Sequence, residues 1–519
     1  MRILVAEPLA EEGLALLRAG HEVDVATDLA RADFLARLPG YEALVVRSQV
    51  MVDAEALAAG SRLVVVGRAG VGVDNIDLEA ATRAGVTVVN APTANTVAAA
   101  EHTLALLYAL ARRVPAADAS LRAGEWQRSR FMGQELRGKA LGIVGLGKIG
   151  MTVADRARAM EMELYGQDPF VTEEAAAQHG IRLLPLAELL PRVDVLTLHV
   201  PLTHATRGLI GAEELALMKP SALLVNVARG GVVDEAALAE ALRESRLAGA
   251  AVDVFEQEPP RGSALLEAPA TVLTPHLGAS TEEAQTRVAV ETAQQILDVL
   301  AGRSARYAVN APLVPPETEQ ALVPFLPLAR MLGQFYAQFA PTLENLTLEI
   351  AGDIAEHDSA PLAAALLAGL LETATDGRVN AVNAPLLARE RGLHLAERRT
   401  SESPRYQSLL SVTGATTVAG TVSGGEPRLA RLGDYWVDLP PAGWMLVTRH
   451  QDRPGTMGRI GLMLGEADVN ISAMHLGRRQ ARADALMILA LDDAVPDELA
   501  ERIRGHEAVL DLWLIRLTP

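Results

Sequence analysis

Short aliphatic runs alternate with helical patterns along the first three fifths of the chain. Continuous Val, Ile, Leu and Ala, without intervening polar positions, are typical of strands covered on both faces, and therefore of parallel sheets. The predicted strands are 2–7, 43–47, 63–67, 86–90, 140–144, 162–167, 193–199, 222–226, 249–254 and 271–274. A longer helical pattern from Thr96 to about Leu121 separates the first four strands from the others. We therefore expect an α/β fold with two doubly wound parallel-sheet lobes and a cleft between them.

The remaining two fifths have a different pattern. Residues 301–319 are rich in Pro and lack periodicity, so they are interpreted as a linker. An α+β unit is predicted over 309–440, with a helix at 361–372 and hairpin strands within 415–437. The last unit, 441–519, has the β-α-β-β-α-β order of a ferredoxin-like fold. Its predicted strands are 444–448, 469–475, 485–491 and 510–517, and its helices are 456–466 and 496–505.

The helix predicted at 281–301 is expected to return the chain to the first lobe. The first lobe is therefore assigned to 1–96 together with 280–308, and the second lobe to 97–279.

Composition narrows the class of protein. The formal net charge of −18 opposes binding to nucleic acid or to an anionic membrane, because both ligands need a positive field. The absence of cysteine excludes disulfides and thiolate metal sites, and no metal is expected. The N-terminus is interpreted as a strand rather than a signal peptide, and no apolar run approaches the ~20 residues of a membrane helix. We expect a cytoplasmic protein that binds neither nucleic acid nor membranes.

The strongest local motif is a glycine-rich turn directly after the strand at 140–144. Its spacing, Gly145-x-Gly147-x-x-Gly150, is typical of a Rossmann-type dinucleotide site, in which the glycines allow a tight turn, a close pyrophosphate and close helix packing. The next strand ends at Asp168, 18 residues beyond Gly150. A carboxylate there can accept hydrogen bonds from ribose hydroxyls and would repel a 2′-phosphate, which favours NAD over NADP. The alternative for Asp168 is a cap on the turn before Pro169.

Three polar residues follow the carboxyl ends of three consecutive strands: Arg229, Glu258 and His276. In an open α/β sheet, ligands bind at that edge. His can take a hydroxyl proton near neutral pH, an adjacent Glu favours the imidazolium, and Arg can hold a carboxylate through two hydrogen bonds. These three side chains together are suited to the oxidation of a 2-hydroxy acid with hydride transfer to nicotinamide. The alternative is that Glu258 caps a turn and His276 is a buried polar residue.

Four segments, 145–150, 226–231, 253–259 and 275–280, resemble the signatures of the D-2-hydroxyacid dehydrogenase family, in the same order. The resemblance implies that Arg229 binds the substrate carboxylate, that His276 is the acid/base and that Glu258 pairs with it. Besides the glycine turn and Asp168, it implies backbone or side-chain contacts with NAD at Lys148, Ile149, Val200, Val227, Ala228, Asp253 and Gly278.

The first lobe resembles the phosphoglycerate dehydrogenase branch of that family at 45–49 and 66–75, which implies 3-phosphoglycerate as the substrate. Successive amides of 70–72 form a nest suited to a carboxylate, and Arg47 and Arg68 suit a phosphate. The alternative for these two arginines is a surface ion pair. The implied substrate residues are Arg47, Ser48, Arg68, Gly70, Val71, Gly72, Asn75 and Arg128.

Arg128, with Arg130 as the second choice, lies in the segment 126–133. In this branch a basic residue of that segment reaches the substrate of the neighbouring subunit. The resemblance therefore implies a homo-oligomer, either a dimer or a tetramer.

The last unit resembles an ACT domain at 449–458 and 469–471. The resemblance implies that L-serine binds at a domain interface, with Asp452 at its ammonium and Asn470 at its carboxylate. His450 stands among these ligand positions where some relatives carry Tyr. The alternative is a unit that serves only dimerisation.

The unit 309–440 resembles the intervening domain of long phosphoglycerate dehydrogenases at 379–385 and 401–404, which implies a second, allosteric substrate site. Its basic cluster is interpreted as a solvated face rather than an anion site. The cluster consists of Arg389, Arg391, Arg398 and Arg399.

Two other functions stay open. A broad 2-hydroxy acid or hydroxypyruvate/glyoxylate reductase would share the catalytic residues but would need neither Arg47 and Arg68 nor the C-terminal units. An NAD-sensing regulatory protein would keep the glycine turn and lose the base. The intact Arg229, Glu258 and His276 favour an enzyme that oxidises 3-phosphoglycerate to 3-phosphohydroxypyruvate with NAD in serine biosynthesis, with feedback by serine through the ACT domain.

Overall fold

The computed structural model describes residues 1–312, 314, 318–375, 377–403 and 405–518. Their strands form four sheets, of which two are parallel, one is mixed and one is antiparallel. The predicted α/β class, with two Rossmann-type lobes, an α+β unit and a ferredoxin-like unit, is confirmed. Residues 313 and 315–317 of the predicted linker, Pro404 of the segment 401–404 and the last residue of the final unit lie outside the described residues.

The first sheet contains five parallel strands in the order β2-β1-β3-β4-β5. The strands are β1 (Arg2–Val5), β2 (Glu22–Val25), β3 (Ala43–Val46), β4 (Val65–Arg68) and β5 (Thr87–Val89). The helices are α1 (Glu11–Arg18), α2 (Arg31–Arg37), α3 (Ala54–Ala59) and α4 (Leu78–Arg83). The winding direction changes between β1 and β3, so a crevice opens beyond the carboxyl ends of these two strands.

The connection to the second lobe contains two helices, α5 (Thr96–Ala111) and α6 (Val114–Arg122), where the sequence predicts one. Pro115 lacks the N–H and the space that a continuing helix needs, so the chain breaks before it. Arg113 takes the left-handed conformation at the break, with φ +56°.

The second sheet contains seven strands in the Rossmann order β12-β11-β10-β9-β6-β7-β8. The strands are β6 (Ala140–Val144), β7 (Glu163–Gln167), β8 (Ile181–Leu183), β9 (Val195–Leu198), β10 (Leu223–Asn226), β11 (Gly249–Val252) and β12 (Thr271–Leu273). The helices are α7 (Lys148–Ala159), α8 (Glu173–Gln178), α9 (Leu186–Leu189), α10 (Ala212–Leu217) and α11 (Glu235–Arg243). Here the winding changes between β6 and β9, which places the glycine turn beside Val200.

The helix α12 (Glu282–Leu300) follows and packs against α1 and β4 of the first lobe. Thr281 caps it by accepting the N–H of Ala284 at 3.2 Å. No described helix combines the length and the apolar character that crossing a bilayer requires.

The third unit is a mixed sheet in the order β14-β13-β15-β16-β17-β18, covered by helices. Its strands are β13 (Leu346–Gly352), β14 (Leu395–Thr400), β15 (Ser408–Thr413), β16 (Thr417–Ser423), β17 (Glu426–Leu432) and β18 (Tyr435–Leu439). Its helices are α13 (Glu319–Leu322), α14 (Phe325–Phe339), α15 (Ala360–Glu372) and α16 (Ala384–Glu390).

The fourth unit has the sheet order β20-β21-β19-β22 of a ferredoxin-like fold. Its strands are β19 (Trp444–Gln451), β20 (Ile471–Arg478), β21 (Asp484–Leu491) and β22 (Val509–Arg516), with helices α17 (Thr456–Glu466) and α18 (Asp497–Arg504). One face of this sheet packs on α14, so Val447 and Ile515 share a core with Leu332 and Tyr336. The third and fourth units are therefore joined through a continuous core.

Candidate active site

The carboxyl edges of the two parallel sheets line a common cleft of about 970 Å³. Its size is that of a site for a small molecule or cofactor. The predicted site residues that line it are Arg47, Ser48, Arg68, Gly70, Val71, Ile149, Val200, Val227, Ala228, Arg229, Glu258, His276 and Gly278. The fold thus brings residues of both lobes together at the place where each sheet changes its winding direction.

His276 and Glu258 form a hydrogen-bonded pair in this cleft. The Nδ1 atom of His276 lies 2.8 Å from Oε2 and 3.0 Å from Oε1 of Glu258. Glu258 also accepts the N–H of Phe255 at 3.2 Å. Burial acts to raise the pKa of Glu258, but the hydrogen bond and charge of His276 outweigh it, so the pKa lies below its usual value. An ionised Glu258 holds the proton on Nδ1 and leaves Nε2 of His276 to accept a proton.

Asp253 lies beneath the His276 loop and not in the cleft. Its side chain is fully buried, and it accepts the N–H groups of Leu277 and Gly278 at 2.7 and 2.9 Å and the Thr274 hydroxyl at 2.5 Å. The carboxylate anchors the residues on both sides of His276, whose φ of +55° is uncommon for a non-glycine residue. The NAD contact of Asp253 stays a prediction.

Arg229 follows β10 and reaches the first lobe across the cleft. Its Nε lies 3.2 Å from Oδ2 of Asp74, and its Nη1 donates to the carbonyl of Ala228 at 2.7 Å. Its Nη2 lies so close to Gly72 that a Cβ there would collide with it. Asn226 shapes the turn by accepting the N–H of Ala228 and donating to the carbonyl of Arg229, each at 3.1 Å. The guanidinium thus lies beside the 70–72 backbone, where the sequence predicts the substrate carboxylate.

The glycine turn fits a dinucleotide phosphate. Gly145 has φ +91°, and a Cβ there would lie 2.6 Å from the carbonyl oxygen of His199. A Cβ at Gly150 would collide with the carbonyl of Gly145, so α7 packs directly against the turn. A Cβ at Gly147 would instead have no atom within 4 Å. The first N–H groups of α7, which begins at Lys148, have no acceptor within the helix and attract an anion.

Asp168 follows β7 and borders the glycine turn. Its Oδ2 accepts the N–H of Leu146 and its Oδ1 the N–H of Phe170, each at 2.8 Å. The second bond is the turn cap that the sequence leaves as an alternative to a cofactor contact. Because a carboxylate has about four acceptor positions, capping leaves capacity for ribose hydroxyls.

The predicted cofactor residues Ile149, Val200, Val227, Ala228 and Gly278 line the cleft. Lys148 is exposed, and its Nζ lies 5.8 Å from the ring centroid of Tyr307 in the returning segment. Lys148 therefore faces the first lobe from the start of α7.

Asp168→Asn is expected to shift cofactor preference toward NADP. Asparagine preserves the shape and one acceptor oxygen but removes the charge that would repel a 2′-phosphate. Loss of a charge-assisted hydrogen bond, about 1.5–3 kcal/mol, corresponds to a roughly 10- to 100-fold fall in the NAD/NADP ratio of kcat/KM. Initial rates with both cofactors measure the ratio, and Asp155→Asn on the outer side of α7 is the matched control. An unchanged ratio in Asp168→Asn would remove this residue from the cofactor site.

Arg47 directly follows β3, Arg68 is the last residue of the neighbouring β4, and both line the cleft from the first lobe. Within the described ranges neither forms an ion pair, which opposes the surface-pair alternative. The Nε of Arg68 is buried without a hydrogen-bond partner. Burial and the nearby charge of Arg229 lower the pKa of Arg68 to about 10, although Asp74 and Glu7 act in the opposite direction. Cationic donors left unused in a cleft are suited to an anionic ligand.

Three predicted substrate residues, Gly72, Asn75 and Arg128, are not among the residues that line the cleft. Asn75 is 7% exposed, and its Nδ2 donates to the carbonyl of Val50 at 2.7 Å, so it joins two loops, and its substrate contact stays a prediction. Arg128 begins an exposed turn, Arg128–Phe131, which also contains Arg130, 3.8 Å from Glu125. A contact of Arg128 with a neighbouring subunit stays a prediction.

Several polar residues at or behind the site, among them the following three, were not predicted from the sequence. Asn95 lines the cleft at the start of α5, and its Oδ1 is buried without a partner. Gln285 lines it from the first turn of α12. His102 lies behind the loop, with Nε2 3.2 Å from Oδ1 of Asp253. Each lies in one of the helices between the lobes, a position that a helical pattern alone does not mark as part of a site.

The predicted effector residues of the fourth unit have partners within it. Asp452 accepts the N–H of Arg482 at 3.0 Å and lies 3.4 Å from Nη1 of Arg478. Asn470 donates to Asp492 at 2.6 Å. A ligand at these side chains would have to exchange with these partners.

His450 is buried in the fourth unit, and its predicted place among the ligand residues stays a prediction. It is 2% exposed, and its Nδ1 lies 3.3 Å from the hydroxyl of Thr448 on the buried face of β19. Burial lowers its pKa, so the ring stays neutral near neutral pH.

The four arginines of the basic cluster in the third unit are exposed, as on a solvated face. The segment 379–385 contacts the first lobe, and the allosteric site implied for this unit stays a prediction. Asn380 donates to the carbonyl of Gly85 at 2.8 Å, and Asn383 to that of Arg83 at 3.4 Å. Arg378 donates to the carbonyl of Leu63 at 2.7 Å. This segment therefore joins the third unit to the first lobe.

Comparisons with known proteins agree with this architecture. Residues 104–278 match the NAD binding domain of the D-isomer specific 2-hydroxyacid dehydrogenases, and residues 321–433 match the D-3-phosphoglycerate dehydrogenase intervening domain. The chain is 44% identical to a D-3-phosphoglycerate dehydrogenase of Synechocystis sp., covering 99% of this chain and 95% of the relative. It is 41% identical to one from Methanocaldococcus jannaschii, over 100% of both chains. A crystal structure of a Thermus thermophilus protein, 39% identical, has a TM-score of 0.56 over 60% of this chain and all of that chain.

Proposed function

This chain belongs to the D-3-phosphoglycerate dehydrogenase family, and we propose that His276, Glu258 and Arg229 are the catalytic groups of its interlobe cleft. The protein catalyses the NAD-dependent oxidation of 3-phosphoglycerate to 3-phosphohydroxypyruvate, the first step of phosphorylated serine biosynthesis. The observation that supports the roles best is the His276–Glu258 pair, 2.8 Å apart, in the same cleft as Arg229.

The residues divide the chemistry between them. NAD, when bound, accepts the hydride that leaves C2 of the substrate. As the C2–H bond breaks with its electron pair, Nε2 of His276 takes the hydroxyl proton and the C2–O bond becomes a carbonyl. Glu258 stabilises the resulting imidazolium through Nδ1. Arg229 holds the carboxylate next to C2, which fixes the orientation of the reacting carbon.

We propose that Arg47 and Arg68, with Ser48 beside Arg47, bind the substrate phosphate. Their lack of ion-pair partners within the described residues and the unused Nε of Arg68 support this role. An unphosphorylated 2-hydroxy acid needs only the Arg229 side of the cleft. The first-lobe arginines therefore favour the phosphorylated acid over a broad reductase activity.

Purified protein is expected to reduce NAD with 3-phosphoglycerate far faster than with glycerate or lactate. NADH absorbance at alkaline pH, with no substrate as the blank, measures this directly. Equal turnover of glycerate would contradict the phosphate role of Arg47 and Arg68. No turnover of any acid, in protein that binds NAD, would favour the regulatory alternative.

Feedback by serine is part of the proposal and can be measured in the same assay. Asp452 and Asn470 lie on the two loops that lead from β19 into α17 and from α17 into β20, which supports a shared ligand site. Serine added to the active sample should lower the rate. A rate unchanged at saturating serine would leave the fourth unit with a structural role only.

We also propose that the protein is a homo-oligomer through the surface around α6. This helix buries none of its residues in the chain, and Trp126 and Met132 beside it are 78% and 77% exposed. Exposed apolar side chains clustered in this way mark interaction surfaces. Sedimentation of a monomer at micromolar concentration would contradict this assembly. The cytoplasmic location stays a prediction.

A further inference from the structure

Glu7 is a buried carboxylate at the point where the first sheet changes its winding direction. It lies two residues beyond the end of β1, and it is 6% exposed. Its Oε2 accepts the N–H of Arg47 at 2.6 Å and that of Val50 at 3.1 Å, and its Oε1 accepts the N–H of Gln49 at 3.0 Å. One side chain thus holds most of the loop that carries Arg47 and Ser48.

Glu7 has no cation paired with it in the part of the chain that the structure describes. A buried charge is costly unless hydrogen bonds compensate it, and here backbone amides alone do so. The charge also acts beyond the loop, because Glu7 and Asp74 favour the protonated form of Arg68 while Arg229 and Arg47 oppose it. The carboxylate therefore lies against the backbone of the 47–50 loop, and its charge partly offsets the repulsion between Arg68 and Arg47.

We propose that Glu7 is a positioning residue that sets the preference for a phosphorylated substrate. It fixes the 47–50 loop and offsets the repulsion between Arg47 and Arg68, so that both guanidinium groups stay together before the ligand arrives. This inference rests on the proposed phosphate role of these arginines. It adds a residue that does not line the cleft and would not contact the substrate.

Glu42 provides a matched control in the same sheet. It is 8% exposed, accepts the N–H of Arg2 at 2.6 Å and pairs with Arg62. It precedes β3, at the amino end of the strand whose carboxyl end leads to Arg47. Glu42→Gln therefore removes a similar buried charge on the side of the sheet away from the cleft.

The experiment compares wild type, Glu7→Gln and Glu42→Gln in the full-length protein. The ratio of kcat/KM for 3-phosphoglycerate over glycerate should fall about tenfold in Glu7→Gln, mainly through KM for the phosphorylated acid. The ratio should be unchanged in Glu42→Gln, and the dissociation constant of NADH unchanged in both. A wild-type ratio in Glu7→Gln, or an equal fall in Glu42→Gln, would overturn the inference.

Glu7→Asp tests the same point if Glu7→Gln does not fold. Its carboxylate is one methylene shorter and cannot keep all three hydrogen bonds, so the ratio should again fall, and a ratio equal to wild type would count against the role. The experiment distinguishes a failure of the proposed phosphate site from a failure of the proposed role of Glu7. A wild-type ratio near one would contradict the phosphate site and this inference with it. A high wild-type ratio that persists in the Glu7 variants would contradict only the role of Glu7.

Discussion

His276→Ala is expected to lower kcat by roughly 10²- to 10⁴-fold, the range that a positioned general base contributes. The hydroxyl proton would then have to leave to water, and the ion pair with Glu258 that stabilises it would be lost. NADH binding should be unaffected, because His276 follows β12 whereas the glycine turn follows β6. Steady-state rates with saturating 3-phosphoglycerate and NADH fluorescence titration measure the two quantities.

His179→Ala is the matched control for this prediction. His179 is in the same lobe and also bonds a carboxylate, with Nδ1 2.9 Å from Asp155, but it lies next to α8 outside the cleft. Its loss should leave kcat within about twofold, as for other surface changes. Retention of more than a tenth of the wild-type kcat in His276→Ala would reject the base assignment. Loss of NADH binding would indicate instead that the loop has collapsed.

The sequence predicts best those elements whose structure depends on one strong feature of the residue pattern. Ala140–Val144 was predicted to the residue, because a continuous aliphatic run followed by glycine fits few other structures. Glu22–Val25 and Ile181–Leu183 were missed because edge strands are short and partly polar. Pro115 marks the break in the sequence, but the apolar pattern continues on both sides of it and predicts a single helix.

Within the candidate sites, the sequence predicts the catalytic residues better than the other ligand residues. Arg229, Glu258 and His276 were found because their strands end at one edge and their motifs are specific. The resemblance to the family places Asn75 and His450 among the ligand residues, but both side chains are buried in the structure. Which way a side chain points depends on packing against distant segments, and a single sequence does not contain that information.

Buried carboxylates support both walls of the cleft in the same manner. Glu7 holds the loop of Arg47 from behind through three N–H groups, and Asp253 holds the loop of His276 through two N–H groups and a hydroxyl. In each case, a buried carboxylate fixes the backbone of the loop that contains the cleft-lining residue. This arrangement limits the motion of the ligand-facing groups without using their own side chains to do so.

Arg229→Ala is expected to lower kcat/KM for 3-phosphoglycerate by roughly 10²- to 10⁴-fold. A guanidinium holding a carboxylate makes two charge-assisted hydrogen bonds, each about 1.5–3 kcal/mol, and the variant loses both. Arg229→Lys keeps the charge but not the planar fork, so it should fall between wild type and Arg229→Ala. Asp74, the present partner of Arg229, has a side chain that is 59% exposed, so water can solvate it after the substitution.

The dependence of this loss on the substrate distinguishes the proposed carboxylate role of Arg229 from the proposed phosphate role of Arg47 and Arg68. Every 2-hydroxy acid has the carboxylate, so Arg229→Ala should reduce kcat/KM for glycerate and for 3-phosphoglycerate by the same factor and leave their ratio unchanged. Substitutions in the 47–50 loop, which contains Arg47, should change that ratio. Arg243→Ala on α11, which removes a guanidinium that donates to the carbonyl of Ala264 at 3.3 Å, controls for loss of an arginine in the same lobe. A loss confined to the phosphorylated acid would move Arg229 to the phosphate, and the carboxylate would then have to be held by the 70–72 amides alone.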